Sequence, residues 1–264
     1  MGNPQASGNM PTSCLERLRL RLTNLKSAEV HGPKNPRVAT ALKARMNLLT
    51  KMAQGLIGQY RAQPALGDAI STRHLPPANT VGGLPLMQAL ALRQSAREFD
   101  PTPLPEQTLS DLLWAVAGVN RPALGGRTAP SAMNSQEVDV YVALPSGLFR
   151  YAALDHSLRL VGAVDARRVT GYQDFVDTAP MDLVYVVDHA RMKLVPASKR
   201  ESYAFAAAGA MAQNASLFCA SAGLATVIRA WLDRAALAQA IGLNNEQQVL
   251  LAQTIGRTKI MAMP

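Results

Sequence analysis

Residues 199–223 form the longest helical pattern in the chain, and its interior is nearly all small: Ala204, Ala206, Ala207, Ala208, Gly209, Ala210 and Ala212. Alanine is the strongest helix former, so the segment needs no large side chains to hold its helix. A face this shallow lets another helix approach closely, and that helix can belong to a second subunit. Gly223 fits the stop at its C-terminal end.

The surrounding pattern mixes strands and helices. Residues 136–144 alternate Val138, Val140 and Val142 and read as a strand. Residues 147–151 and 157–161 read as a hairpin around Asp155-His156. Residues 182–188, Asp-Leu-Val-Tyr-Val-Val-Asp, read as a buried strand, and further strands are expected at 225–232 and 248–256. Short helices are expected at 86–92, 165–173 and 234–242. A clearer one is expected at 105–118, with Pro105 near its start, Gly118 at its stop, and the face Leu109, Leu112, Leu113, Val116. Residues 74–83, rich in Pro and Gly, read as an extended linker. Strands and helices do not alternate strictly, so the expected class is α+β around one central sheet.

A net charge of +9 suggests nucleic acid at first sight, but its distribution argues against it. Residues 1–75 carry 11 Lys/Arg and 3 Asp/Glu, whereas residues 76–264 carry 16 and 15. The basicity belongs to an N-terminal segment, 1–75, and the body, 76–264, is nearly neutral. Nothing in the body resembles a phosphate-backbone groove, so no nucleic-acid partner is expected. No stretch approaches the roughly 18 apolar residues of a membrane helix. The 2 cysteines, Cys14 and Cys219, have no metal-ligand company, and Cys219 reads as a small buried residue. His31, His74, His156 and His189 are scattered, so no metal site is expected.

Within the basic segment, Leu15, Leu18, Leu22 and Leu25 fit one helical face with Arg17, Arg19 and Arg21 between them. Such a helix can lie on a membrane surface, but a disordered tail is the favoured expectation, with Met46 and Met52 as alternative starts. Residues 46–65 hold a signal-like basic and apolar piece, broken by Gln54, Gly55 and Gly58. A cytoplasmic location is therefore expected.

Chemistry concentrates in two stretches of the body. Arg93-Gln94-Ser95-Ala96-Arg97-Glu98-Phe99 places two guanidiniums and a hydroxyl within five residues. Arginine forks bind phosphate bidentately and serine adds a short donor. The same residues also read as a solvated helix end with cations at the negative pole of its dipole. Downstream, Gly125-Gly126-Arg127 leads to Pro130-Ser131-Ala132-Met133-Asn134. Adjacent glycines let backbone approach a ligand closely, Asn134 also fits a loop cap, and Arg127 also fits a surface charge. There is no Ser-His-Asp spacing, no His-Glu-x-x-His and no phosphate-binding loop. No side chain stands out as a nucleophile or base, which suits a protein whose cofactor carries the chemistry.

The residues 93–99 resemble the Arg-x-Ser-x-Arg-x-Phe opening of the nitroreductase-like FMN family. Further pieces fall in that family's order: Leu112-Leu113-Trp114-Ala115, Asn120-Arg121 through Asn134, Ala179-Pro180 before a strand, Gln213-Asn214, and Ala222-Gly223-Leu224. The branch most similar is the SagB-type dehydrogenase-like group, and the match spans about residues 75–260. The resemblance implies a homodimer with a mixed, mostly antiparallel sheet flanked by helices, and FMN held between subunits. It implies that Arg93, Gln94 and Ser95 hold the phosphate and ribityl end, with Arg97 near the flavin N1/O2 edge, where a cation stabilises the anionic reduced ring. Asn134 would bind the pyrimidine edge, Ala222 and Gly223 would offer backbone N–H groups, and Arg257, with Lys259, would close the phosphate site. Fuller members carry Glu where Ala222 stands, leaving that position only a backbone role.

Two classes of function follow. The first is an FMN oxidoreductase passing electrons from NADH or NADPH to a small-molecule acceptor such as a nitroaromatic or quinone. Its variant within the resembled branch oxidises an azoline-like substrate. The second is a non-catalytic, partner-dependent subunit that has lost flavin.

Overall fold

The computed structural model describes residues 69–259, so the expectations for the basic segment before residue 69, including Cys14, His31 and the alternative starts, lie outside the described residues. In chain order the elements are β1 (Ser71–His74), α1 (Leu86–Leu92), β2 (Phe99–Asp100), α2 (Glu106–Ala117), β3 (Val119–Arg121), β4 (Gly126–Arg127), β5 (Val138–Leu144), β6 (Gly147–Ala152), β7 (Ser157–Gly162), β8 (Met181–Asp188), α3 (Ala197–Ala222), β9 (Leu224–Arg229), α4 (Arg234–Ile241) and β10 (Gln247–Thr258). The class is α+β. The main sheet runs β1-β7-β6-β5-β8-β10-β2, with β9 on the other side of β10, and β3 and β4 form a separate hairpin. The pairings are antiparallel.

Both central strands are apolar on both faces, because helices cover both. Val138, Val140, Val142, Leu183, Tyr185 and Val187 point to the α2/α3 layer. Tyr141, Ala143, Val184 and Val186 point to a smaller layer with Leu237 and Ile241 of α4. The period of two along a strand makes this division. Full burial of each Leu or Val contributes ~1.5–3 kcal/mol, and the face read from α2 is buried throughout.

Three expectations change. Residues 165–173 form only a short 3-10 turn, Arg167–Thr170, because Asp165 binds the Arg167 backbone N–H at 3.1 Å and closes the chain locally. The segment at 74–83 is tied down at its start: β1 pairs with β7, and Leu75 N–H donates to His156 O at 3.1 Å. The sheet therefore begins upstream of residue 76. The small residues of α3 are only in part open to another subunit, since Ala206 is exposed and Gly209 and Ala210 are half-buried. Ala204, Ala207, Ala208, Ala212 and Ala215 are buried within the chain's own core. Cys219 is buried beside them, and burial pushes its thiol up to about 12.

An ion pair inside the protein joins three strands. Arg229 of β9 donates to Asp182 of β8 at 2.6 Å and to Thr254 Oγ1 of β10 at 3.1 Å. It also donates to Thr170 O at 2.6 Å. Burial raises the Asp182 carboxyl to about 6 against the pull of Arg229, and burial lowers the Arg229 guanidinium.

A second polar chain pins the β6/β7 turn to α2. Ser110 Oγ donates to Pro76 O at 2.5 Å. A carbonyl only accepts, so Ser110 must accept from His156 Nε2–H at 2.7 Å. The other ring nitrogen then accepts from Tyr151 O–H at 2.8 Å. Burial holds His156 below its ordinary value. The folded chain thus binds fewer protons here than the unfolded one. This contribution is complete above the ordinary value of ~6.5 and is lost as pH falls through the folded-state value. Asp182 has the opposite sign: its contribution is present at low pH and lost as pH rises through about 6. Comparing wild type with His156→Asn cancels Asp182. The stability advantage of wild type, read from urea midpoints, should shrink between about pH 7.5 and about pH 5; an advantage that does not change with pH would refute the neutral relay.

Candidate functional site

Three segments converge where β10 ends. Arg257 sits opposite Asp100 of β2 on one side and Leu224 of β9 on the other. Ala96 N–H donates to Thr226 O at 2.9 Å, and Lys259 N–H donates to Glu98 O at 3.3 Å. Residues 93–100, 222–226 and 256–259 are therefore held side by side, although more than a hundred residues separate the first from the others. A groove of about 250 Å³ lies at this junction, lined by Leu92, Gln94 and Ala96, by Ser216 and Ala220 of α3, by Gly223 to Thr226, and by Thr258. No lining residue is charged.

The extended run after α1 splits by alternation. Gln94 and Ala96 line the groove, while Arg93, Ser95 and Arg97 do not. Arg93 caps α1 through its backbone N–H to Ala89 O, and Ser95, Arg97 and Arg257 are exposed. Among the described residues, Arg93, Arg97, Arg257 and Lys259 enter no ion pair, whereas Arg191 and Arg229 are paired deep in the structure. Asp100 is the nearest compensation. Its carboxyl is held below the usual range first by Thr102 and then by the charges of Arg257 and Lys259. The outcome is an outer set of open cations beside an inner neutral groove.

Gly223 takes φ 68°, the left-handed conformation that closes α3, and its N–H donates to Cys219 O. That N–H is spent on the helix, so the donor role expected of Gly223 is not available; the residue supplies groove surface instead. Ala222 is the last residue of α3 and is exposed.

Asn134 does not line the groove. It ends a short 3-10 turn, Ala132–Asn134, and Met133, Asn134 and Gln136 all have positive φ, at 54°, 54° and 49°. Asparagine tolerates this region, but Met133 and Gln136 are strained there, at a cost of ~1–3 kcal/mol each. Hydrogen bonds hold the turn. Gln136 N–H donates to Ser131 Oγ at 3.0 Å, Gln136 Nε2 to Gly125 O at 2.8 Å, and Arg191 Nη1 to Gln136 O at 2.8 Å. Arg127 is no surface charge: it is 8% exposed, donates to Gln136 Oε1 at 3.0 Å, and is lowered by burial. A Cβ on Gly126 would lie 2.4 Å from Arg121 Nε, so that glycine admits the chain's own arginine. Asn214 donates to Ala115 O at 3.0 Å and ties α3 to α2 within one chain.

Ser216, Ala220, Thr226 and Thr258 carry no sequence signal as groove residues. They are ordinary small residues, placed there by helix docking and strand register. Among the described residues no group of His, Cys, Asp and Glu could hold a metal ion, and no helix is long and apolar enough to cross a membrane.

A family profile described as the nitroreductase family matches residues 90–257, more than half of the chain. A crystal structure from Ralstonia eutropha JMP134, described there as a "putative nitroreductase", is 52% identical, covers 76% of this chain and 96% of its own, and has a TM-score of 0.70. A curated protein of Methanocaldococcus jannaschii with the same description is 28% identical over 152 residues, 54% of this chain and 76% of its own length. The NADPH:FMN oxidoreductase of Vibrio harveyi, solved with NAD+, is 20% identical over 68% of this chain and 72% of its own, at a TM-score of 0.50. That last likeness is one of fold.

The open space around Gly223 fixes the cost of replacing it. A Cβ there meets nothing within 4 Å, so only the backbone penalty applies. Gly223→Ala should destabilise by about 1–2 kcal/mol, read by thermal melting, and Gly223→Asn by less. Equal losses in the two variants would point to a steric role instead.

Proposed function

Since the chain belongs to the nitroreductase family, an oxidoreductase family, we propose that it is an FMN-dependent oxidoreductase working between NAD(P)H and a small-molecule acceptor such as a nitroaromatic or a quinone. The observation that carries this reading is the open cation set, Arg93, Arg97 and Arg257, beside an uncharged groove. A ligand with a flat, neutral head and an anionic tail matches that division.

The residues fit FMN. Arg93 and Arg257 would hold the phosphate, with Ser95 as a further donor. Bound FMN would supply a two-electron relay between NAD(P)H and the acceptor. The chain's own contribution is binding, orientation and exclusion of water, since no groove-lining residue titrates near neutrality. Arg97 would bias the electronics of the ring by its charge.

Purified protein should carry non-covalent FMN or take it up in a fluorescence titration. Arg93→Ala should weaken that binding by about 1.5–3 kcal/mol, the net value of a hydrogen bond to a charged group. A chain that takes up no FMN would instead favour a partner-dependent subunit.

The same reading includes a homodimer. A groove of about 250 Å³ is smaller than the ~300–1,000 Å³ that buries a drug-sized ligand. Its rim continues into α1, where Leu86 is 63%, Met87 75%, Leu90 43% and Leu92 58% exposed. Contiguous apolar surface of this kind marks an interaction site. A second copy seated on α1 would cover these side chains and complete the site. Met87→Glu should shift the mass seen by light scattering toward the monomer and weaken FMN uptake with it. A flavin-loaded monomer at micromolar wild-type protein would overturn the shared site.

A further inference from the structure

Two large aromatic side chains meet on the surface. Trp231, just beyond the end of β9, is 71% exposed, and Tyr172, in the loop after the Arg167–Thr170 turn, is 50% exposed. Their ring centroids lie 5.4 Å apart, with the planes 48° to each other. Neither ring belongs to the core, whereas Leu232, the residue after Trp231, is buried in it. The pair therefore adds little to folding.

The fold nevertheless holds it in place. Arg229, two residues before Trp231, donates to Thr170 O at 2.6 Å, to Thr170 Oγ1 at 3.0 Å and to Gln173 Oε1 at 3.3 Å. One guanidinium thus grips the loop on both sides of Tyr172, and Asp182 fixes that guanidinium in turn. A Cβ on Gly171 would lie 1.9 Å from Arg229 Nη1, so glycine is what lets the loop close down this far. Contacts continue toward the arginine stretch. Arg229 Cζ lies 5.9 Å from the centre of the Phe175 ring, and Phe175 meets Phe99, two residues beyond Arg97, at 5.3 Å.

The size of the patch decides what can cover it. A large aromatic side chain buries ~150–250 Å², so the exposed parts of these two come to on the order of 250 Å². A protein partner covers ~800 Å² on each side. The surroundings do not extend the patch: Gln173, Asp174 and Asp233 are polar, and Ile228 points to the other face of β9 from Arg229. One flat ring system matches the area. Indole and phenol carry negative ring faces, so a ring depleted of electrons stacks on them best. We propose that Tyr172 and Trp231 form a binding site for a flat, electron-poor ring, the class to which quinones and nitroaromatics belong. Trp231 offers the face for stacking, and Tyr172 closes the corner at an angle. The choice of ligand class rests on the oxidoreductase reading, but binding here requires neither FMN nor NAD(P)H.

The test is binding of para-dinitrobenzene to the full chain, by equilibrium dialysis and by quenching of tryptophan fluorescence, with para-dimethoxybenzene as an electron-rich ring of similar shape. The dinitro compound should bind about tenfold more tightly than the control. Trp231→Ala should weaken it about tenfold, and Trp231→Phe, which keeps a ring, by less. If Trp231→Ala fails to fold, Tyr172→Ala carries the same expected loss. Trp114, the other tryptophan, is half-buried in α2, so quenching should vanish in Trp231→Phe. Quenching that persists there overturns the site, as does equal binding of the two compounds. Saturating FMN should leave the affinity for para-dinitrobenzene within about threefold, and displacement of the compound by FMN would overturn a separate site. Wild-type protein that takes up FMN but not para-dinitrobenzene overturns the site and leaves the FMN reading standing. A chain that binds para-dinitrobenzene through Trp231 and takes up no FMN does the reverse.

Discussion

The ion pair of Arg229 with Asp182 holds together the part of the sheet on which the site depends. β9 touches the sheet along one edge only, through β10. Arg229 reaches across to Asp182 on β8 and Thr254 on β10, which adds a side-chain tie to the ladder hydrogen bonds at the end of β9. Taking both charges out of water costs several kcal/mol per ion, which close contact and further hydrogen bonds offset. The Arg229 guanidinium also donates to Thr170 O and to Thr170 Oγ1, at 2.6 and 3.0 Å, so its remaining donors are largely satisfied. Removing the carboxylate would leave an uncompensated buried cation. The wall of the groove, at the other end of the same short strand, would lose its footing with it.

Strand geometry also divides the site. From Arg93 to Arg97 the chain is extended, and extended chain sends neighbours to opposite sides. One side keeps Gln94 and Ala96 against the groove, and the other carries the arginines and Ser95. Arg257 and Thr258 split in the same way on β10, with Thr258 lining the groove. Charge can therefore collect on one side of the chain while the other side stays neutral. A pocket lined by these same arginines would have incurred the desolvation seen for Arg127.

What was legible in the sequence was what local chemistry decides. Gly118 and Gly223 close α2 and α3 where expected, the alternating run at 136–144 became β5, and the hairpin around Asp155-His156 became β6 and β7. The convergence of residues 93–97 with Ala222, Gly223 and Arg257 was legible through family resemblance and not from spacing, because β-ladder register brings them together. The relay from Ser110 through His156 to Tyr151 was invisible, since its members lie on a helix, a turn and a strand. The strained turn at Met133 to Gln136 was invisible too: neither Met nor Gln advertises a positive φ, and the hydrogen bonds that enforce it come from distant Gly125 and Arg191.

The composition of α3 decides only part of what that helix packs against. Small residues permit close approach, but they do not say what approaches. In α3 Ala204, Ala207, Ala208, Ala212 and Ala215 belong to the chain's own core, together with Leu112, Leu113 and Val116 of α2, while Ala206 stays exposed. α1 packs against α3. α1 is seven residues long and buries Ala89 alone. So short a helix gains little from its own hydrogen bonds, and its leucines remain outside the core. Among the described residues α1 therefore adds exposed apolar side chains, Leu86, Met87, Leu90 and Leu92, at the rim of the groove, beside a long helix whose small residues are only partly covered.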